Sequence, residues 1–381
     1  MVWYVYQYYG DRRLLENHYP NMKRWVGYLT SIANRDHLIE EGGYYGDHML
    51  PGDAPGKEEF ISTETPSSLL WTGYYYNNVW ILAQAARILG AADDAVAYER
   101  LADAIRTALN QKWLSPAGKH YATGSQTANI FPLAVGVVPT TNRQDVLNSL
   151  TDDILIKRRG HLHTGNLGTT CIMDALADLG RGDVLYRVAT ATDYPGWGYM
   201  VREGATTIWE AWSNNVPGTS VASGMVVNNV VVSEDSMLMF GSINEFFFGS
   251  LAGIKGPNYF GKRDVVPGFR EVCIRPRVLG DLTSATARIR TVRGIVGVDW
   301  KHGENNLSLK ATIPVNARAH ISIPKAGLRE VTVEEGGKLV WKKGAYLGGV
   351  PGVTAGAEEP DYVTFDTGSG MYSFILHGKR Q

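Results

Sequence analysis

The sequence predicts two folds in series, a closed stack of helical hairpins and then an antiparallel β-sandwich. Three observations carry this. Apolar residues recur at helical spacing over the first two-thirds of the chain, and beyond about Gly256 they recur at every second position. No strict repeat runs through the helical part, which favours a closed toroid over a regular solenoid. A length of 381 residues suits two domains, one of them large. We place them at 1–258 (helical) and 259–381 (sandwich), with the change of pattern in the stretch Lys255–Gly268.

Each element follows from its spacing. Met22, Trp25, Val26, Leu29, Ile32 and Ala33 form a helical stripe after Pro20, a good first-turn residue. Tyr75, Val79, Leu82, Ala83 and Ala86 form another, with Gly90 placed to end it in a left-handed conformation. Ala97, Leu101, Ala104, Ile105, Ala108 and Leu109 form a third, and Val146, Leu147, Leu150 and Ile154 a fourth. Ile172, Ala175, Leu176 and Leu179 precede the stop at Gly180, and Phe240, Ile243, Phe247 and Leu251 mark a last apolar helix. Long loops rich in glycine and aromatics separate these helices. In the C-terminal part Leu307, Leu309, Ala311 and Ile313 alternate, as do Ala319, Ile321 and Ile323, and Tyr372, Phe374 and Leu376. Glu335-Gly336-Gly337 supplies a turn between such runs.

Composition narrows the function. Hydrophobic residues make up 44% and charged residues 20%, enough for a sizeable core. A net charge of -1 with no basic stripe leaves a nucleic acid nothing to grip. The short run Lys157-Arg158-Arg159 reads as a solvated helix end. The two cysteines, Cys171 and Cys273, fall in different predicted domains, so no disulfide is expected, and Cys171 reads as a core residue. No metal-ligand spacing occurs, and neither metal nor cofactor is expected. No run of about 20 apolar residues exists to span a membrane. The segment Met1-Val2-Trp3-Tyr4 lacks the charged and apolar regions of a leader, so the chain as it stands reads as cytoplasmic. Aromatics stand out, with 10 Trp and 20 Tyr, many beside glycine and acidic residues. Flat rings beside carboxylates suit the part-apolar, part-hydroxylated surface of a sugar; a large helical core also calls for big side chains.

The chemistry concentrates in one stretch, Asp193-Tyr-Pro-Gly-Trp-Gly-Tyr-Met-Val-Arg-Glu-Gly-Ala-Thr-Thr-Ile-Trp-Glu-Ala-Trp212. It sets Trp197, Tyr199, Trp209 and Trp212 beside two carboxylates, Glu203 and Glu210, a composition that can stack rings on a pyranose while a carboxylate polarises a water. Read from the residues alone, Glu210 is that carboxylate, a solvated loop residue, or a partner for Arg202. The stretch resembles the bacterial α-L-rhamnosidases of glycoside hydrolase family 78, whose matching segment ends in Gly-Ala-Thr-Thr-(apolar)-Trp-Glu-x-Trp. The resemblance extends to Tyr9-Gly10-Asp11, Tyr45-Gly46-Asp47, Ser125-Gln126-Thr127-Ala128, Gly160-His161-Leu162-His163-Thr164-Gly165-Asn166-Leu167-Gly168-Thr169, Met239-Phe240-Gly241-Ser242, Leu251-Ala252-Gly253-Ile254 and Ile274-Arg275-Pro276.

The resemblance implies an (α/α)6 barrel followed by a C-terminal sandwich, and inverting hydrolysis of terminal α-L-rhamnosyl groups from a rhamnosylated glycan or glycoside. Such hydrolysis needs an acid on the leaving oxygen and a base that activates water on the opposite face. By resemblance Glu210 is the base. Asp47, His48, Trp197, Tyr199, Trp209, Trp212 and Glu203 are the candidate substrate-binding residues, with Asp47 balanced between a sugar contact and a turn-capping role. His161 and His163 read as hydrogen-bonded structural residues, and Glu64 as helix-start chemistry.

The chain departs from the family's pattern in three places. No Arg-x-Glu-Arg segment followed by Gly-Trp-x-Gly-Asp, which carries the general acid, occurs; Glu99-Arg100 is the nearest match and lies in an amphipathic helix. The chain is therefore expected to start inside the barrel, with apolar edges that a second copy could cover, giving a homo-oligomer. His48 stands where relatives carry a stacking Trp, and Ser236-Met237 where many carry Asn-His. The alternative reading is a weakly active or non-catalytic carbohydrate-binding fragment.

Overall fold

In the computed structural model every residue is described except 44, 56, 210, 214–224, 228–229, 233–239 and 381, with backbone alone at 225–227 and 230–232. The chain divides into two compact units, one of residues 15–243 and one of 1–14 together with 244–381.

Helix α1 (Val2–Tyr9) belongs to the second unit, where Trp3 Nε1 donates to the Gly261 carbonyl at 3.1 Å. Helix α2 (Arg12–Ile32) corrects the sequence reading: it starts eight residues before Pro20 (20 − 12) and carries that proline in its interior. Proline removes one N–H and crowds the carbonyl four residues back. The helix persists because Leu15, fully buried, extends upstream the face that Val26 and Leu29 continue. Trp25, expected on that face, is 51% exposed.

Strands β1 (His48–Leu50) and β2 (Glu59–Ile61) pair antiparallel, His48 opposite Ile61. Helices α3 (Ser67–Leu89) and α4 (Ala92–Trp113) form a packed hairpin. Gly90, at φ 81°, ends α3 as its position predicted. The expected stripe of α3, from Tyr75 to Ala86, is buried throughout. Helix α4 buries Ala95, Ala102, Ile105 and Leu109, and leaves Ala97 exposed on a face rotated from the predicted one. Helix α5 (Gln126–Val135) is buried at every position, and its N-cap Ser125 accepts from Ala128 N–H. Helix α6 (Arg143–Asp152) continues into a π-helical turn and buries Val146, Leu147, Leu150 and Ile154. Helices α7 (Asn166–Ala175), α8 (Gly182–Ala189) and α9 (Trp197–Arg202) follow, with Gly180 at φ 85° between α7 and α8. Strands β3 (Met225–Val227) and β4 (Val230–Val232) pair as a two-stranded ribbon. The last expected helix is a short turn, Ile243–Glu245, and a π-helical stretch, Phe246–Leu251.

The second unit holds two sheets. Strands β5 (Ile254–Lys255), β6 (Glu271–Ile274), β7 (Ser284–Thr291), β8 (Gly294–His302), β9 (Asn306–Ile313), β10 (Arg318–Pro324), β11 (Arg329–Glu335), β12 (Lys338–Lys342), β13 (Ala345–Tyr346), β14 (Val353–Glu358), β15 (Tyr362–Thr367) and β16 (Gly370–Lys379) follow in chain order. One sheet runs β14-β15-β10-β6-β5, the other β13-β12-β11-β16-β9-β8-β7. All pairs are antiparallel except β10 with β6. The alternating residues read from the sequence point inward: Leu307, Leu309, Ala311 and Ile313 share one core with Ile321, Ile323, Phe374 and Leu376. Phe365 stacks on Phe374 at 5.1 Å within it. The turn at Gly336 and Gly337 takes positive φ at both residues, which glycine adopts without strain.

Both cysteines are free, and burial pushes the Cys171 thiol well above its usual range. Among the described residues no helix is long and apolar enough to cross a membrane, and no group of three or more His, Cys, Asp or Glu could hold a metal.

Candidate active site

The first-strand hairpin delivers Asp47 to the start of α7. Its carboxylate is completely buried and accepts four hydrogen bonds. Thr127 Oγ1 and Gly165 N–H donate to Oδ2, and Leu167 and Gly168 N–H donate to Oδ1 at 3.1 Å each. Helix α7 has no side-chain cap of its own, so Asp47 satisfies its orphan amides from outside and faces the positive end of its dipole. Burial pushes the Asp47 pKa upward, against the pull of Thr127 and the three amides. Glycine is required on the facing side: a Cβ at Gly165 would lie 2.2 Å from the His48 carbonyl oxygen, and one at Gly168 2.0 Å from Thr127 Oγ1. Of the two roles considered for Asp47, the geometry gives the capping one.

His48, next along β1, is half-buried. Its Nδ1 lies 2.7 Å from the Phe60 carbonyl oxygen, and its ring meets Phe60 edge-on at 4.5 Å and Tyr45 at 5.9 Å. Tyr45 and Phe60 are themselves exposed. The imidazole thus completes a small aromatic surface where sequence alone showed one isolated ring.

The segment from Asp193 to Trp212 packs largely on itself. Trp197 and Trp212 meet edge-to-face at 5.2 Å, Trp212 lies against Phe240 at 4.2 Å, and Tyr199 touches both Tyr194 and Trp209 edge-on. Two indoles are tied to the backbone: Trp197 Nε1 donates to the Phe240 carbonyl and Trp212 Nε1 to that of Thr164. Trp212 is fully buried, so it backs the segment rather than offering a face. Trp209 is also buried, and its Nε1 has no hydrogen-bond partner among the described residues. Glu203 pairs with Arg202 at 3.1 Å, while the Arg202 guanidinium lies over the Tyr199 ring at 5.2 Å. Burial, and then the charge of Glu203, pushes the Tyr199 pKa up. Glu210 and Ser236-Met237 lie outside the described residues.

The histidines have fixed partners. His161 Nδ1 lies 3.0 Å from the Pro195 carbonyl oxygen, and His163 Nε2 lies 3.3 Å from Glu64 Oε1. Glu64 is therefore a corrected case: it makes no helix cap but faces His163 and Arg158. Burial first, and then the Arg158 charge, holds the His163 pKa below its usual value against the pull of Glu64.

Two residues escaped sequence reasoning. The Asn166 side chain is 8% exposed, and neither end of its amide has a partner among the described residues. Glu58 accepts hydrogen bonds from Tyr194 Oη (3.2 Å) and Ser213 Oγ. No spacing pointed to Glu58; the stretch Gly56-Lys57-Glu58-Glu59 reads as a solvated turn. Asn166 stood inside a quoted motif, and an amide at the buried start of a helix is a signal for polar chemistry.

Residues 1–251 match the bacterial alpha-L-rhamnosidase 6 hairpin glycosidase domain. The chain belongs to the bacterial α-L-rhamnosidase family. Its residues 261–338 match the C-terminal domain of these rhamnosidases. An α-L-rhamnosidase of Streptomyces avermitilis is 30% identical over 322 residues, which are 84% of this chain and 28% of that protein. One from Formosa agariphila is 27% identical over 87% of this chain and 34% of its own length. Among solved structures, the α-L-rhamnosidase from Dictyoglumus thermophilum superposes with a TM-score of 0.84 at 32% identity, covering 99% of this chain and 38% of that one. The Streptomyces avermitilis α-L-rhamnosidase complexed with L-rhamnose gives 0.78 at 28% identity, covering 98% and 32%. The chain thus spans about a third of the length of these rhamnosidases, over their six-hairpin and C-terminal domains.

Proposed function

We propose that this chain contributes the base side of an inverting α-L-rhamnosidase site, with Glu210 activating the attacking water and a rhamnosylated glycan or glycoside as substrate. The observation that carries this is the run Gly204-Ala-Thr-Thr-Ile-Trp-Glu-Ala-Trp212, in a member of this family whose surrounding aromatics pack into one cluster. A rhamnosidase relative has been solved with L-rhamnose bound, which supports the same sugar here. Trp209 and Asn166 each hold buried hydrogen-bonding groups without partners among the described residues, and a sugar hydroxyl would relieve that cost. The surface of His48 with Tyr45 and Phe60 supplies rings for the apolar face of the sugar, and the buried Trp197 and Tyr199 support the segment from behind. Asp47 and Trp212 act by holding the backbone around them, and Glu203 orients Arg202.

The sequence contains no match to the family's acid-bearing pair of segments. An alkyl or sugar leaving group needs protonation as its bond breaks, whereas nitrophenol leaves as a stable anion. Turnover by this chain is therefore expected to favour aryl rhamnosides over rhamnosyl disaccharides. Glu210→Gln should lower aryl rhamnoside turnover by about 10²–10⁴-fold, since an amide cannot take the proton from water. The test compares nitrophenyl α-L-rhamnoside with a rhamnosyl disaccharide, before and after the substitution. Unchanged aryl turnover in Glu210→Gln removes Glu210 from the reaction.

A further inference from the structure

One carboxylate oxygen closes the aromatic segment on itself. Tyr194 stands at the head of the segment and Ser213 just past its end, and both hydroxyls donate to Glu58 Oε1. Glu58 belongs to neither end; it stands immediately before β2, on the hairpin that also carries Asp47 and His48. Its neighbour Glu59, the first residue of β2, accepts only locally, from Thr63 N–H and Oγ1. Glu58 alone of the two reaches across the fold.

We propose that Glu58 is a positioning residue that fixes both ends of the Tyr194–Ser213 segment and thereby sets the place of its rings. This rests on the reading of Glu210 as base. Ser213 follows Glu210 by three residues in the sequence, so on that reading the tie lies beside the proposed base in the chain. The phenol of Tyr194 shows the grip from the other side: burial first, and then the Glu58 charge, pushes its pKa well up.

The test uses the full chain with Glu58→Ala, Glu58→Gln, Tyr194→Phe and Ser213→Ala, and two readouts. Acrylamide quenching of tryptophan needs no turnover, and Trp197, Trp209 and Trp212 in the loop are all buried. Nitrophenyl rhamnoside kinetics supply kcat, KM and the pH profile. In Glu58→Ala, quenching should rise and kcat should fall by about 10–100-fold, the scale of a 1 Å misplacement, with KM changed much less. Glu58→Gln should restore most of both, because its amide oxygen accepts the same two hydroxyls. Tyr194→Phe and Ser213→Ala should be non-additive, and their coupling should vanish in the Glu58→Ala background. Unchanged quenching in Glu58→Ala, or hydroxyl deletions that simply add, overturns the proposal. A rise in quenching in Glu58→Ala with aryl turnover unchanged in Glu210→Gln keeps the tie and removes the Glu210 reading; turnover lowered by Glu210→Gln but indifferent to Glu58→Ala does the reverse. If Glu58→Ala does not fold, the cycle of the two hydroxyl deletions decides alone.

Discussion

The sandwich and the aromatic loop are both rich in rings, yet they are held by opposite means. In the sandwich, Phe365, Phe374 and Tyr372 stack nearly parallel inside a continuous apolar core, and the strands follow from alternation alone. In the loop, rings meet edge-on and are pinned by single polar atoms: the carbonyls of Phe240 and Thr164, and the carboxylate of Glu58. Apolar area tolerates small shifts because many contacts share the load. A point anchor does not, and a region built on anchors is defined by very few residues.

The sharpest break of this comparison truncates one ring in each region. Phe374→Ala and Trp212→Ala should each cost about 3–5 kcal/mol, read from urea midpoints, because both side chains are fully buried. The difference lies in what else changes: Trp212→Ala frees the Thr164 carbonyl and should raise quenching of the remaining loop tryptophans, whereas Phe374→Ala should not. Equal quenching in the two variants would erase the distinction.

A smaller effect is expected at Asp47. Asp47→Ala orphans a hydroxyl and three amides, at about 1–3 kcal/mol for each that water cannot reach. Relief of the buried carboxylate offsets part of this, as its raised pKa indicates, leaving a net loss of about 2–3 kcal/mol. Asp47→Asn keeps one acceptor oxygen and should lose less. A neutral Asp47→Ala would show that α7 does not depend on its external cap.

The smallest effect is a pH slope. His163 has a folded pKa below its usual value of about 6.5, so as pH falls the unfolded chain binds the proton first. Stability should therefore decline as pH drops below about 6.5, until the lower folded pKa is passed. His163→Gln should flatten that stretch of the melting-temperature profile. Parallel profiles for the two proteins would assign the slope elsewhere.

These contrasts explain what could be read in advance. Strands β9, β10 and β16 were legible because each inward residue reports on its own strand. The end of α3 was legible because Gly90 acts locally. Pro20 misled because its local preference was outweighed by burial of Leu15 on the preceding turns. In the candidate site, the Trp-Glu-Ala-Trp run stood out by composition, but the partners that hold it did not. Asp47 finds its donors 80–121 residues away, and Glu58 finds Tyr194 and Ser213 at separations of 136 and 155. Such pairs leave no period and no spacing; a lone carboxylate beside glycine looks the same whether it is solvated or holds an entire loop.

The pairing of α1 with the C-terminal unit has a consequence for synthesis on the ribosome. Trp3 donates to the carbonyl of Gly261, a partner 258 residues later in the chain. At about 5–20 residues per second, that partner emerges roughly 13–50 s after Trp3 does. Residues 15–243 are translated in between and can condense while α1 still has no seat. Helix α1 thus docks only after those residues have been made, and for that interval Trp3 is an exposed indole on a nascent chain, a natural foothold for a chaperone.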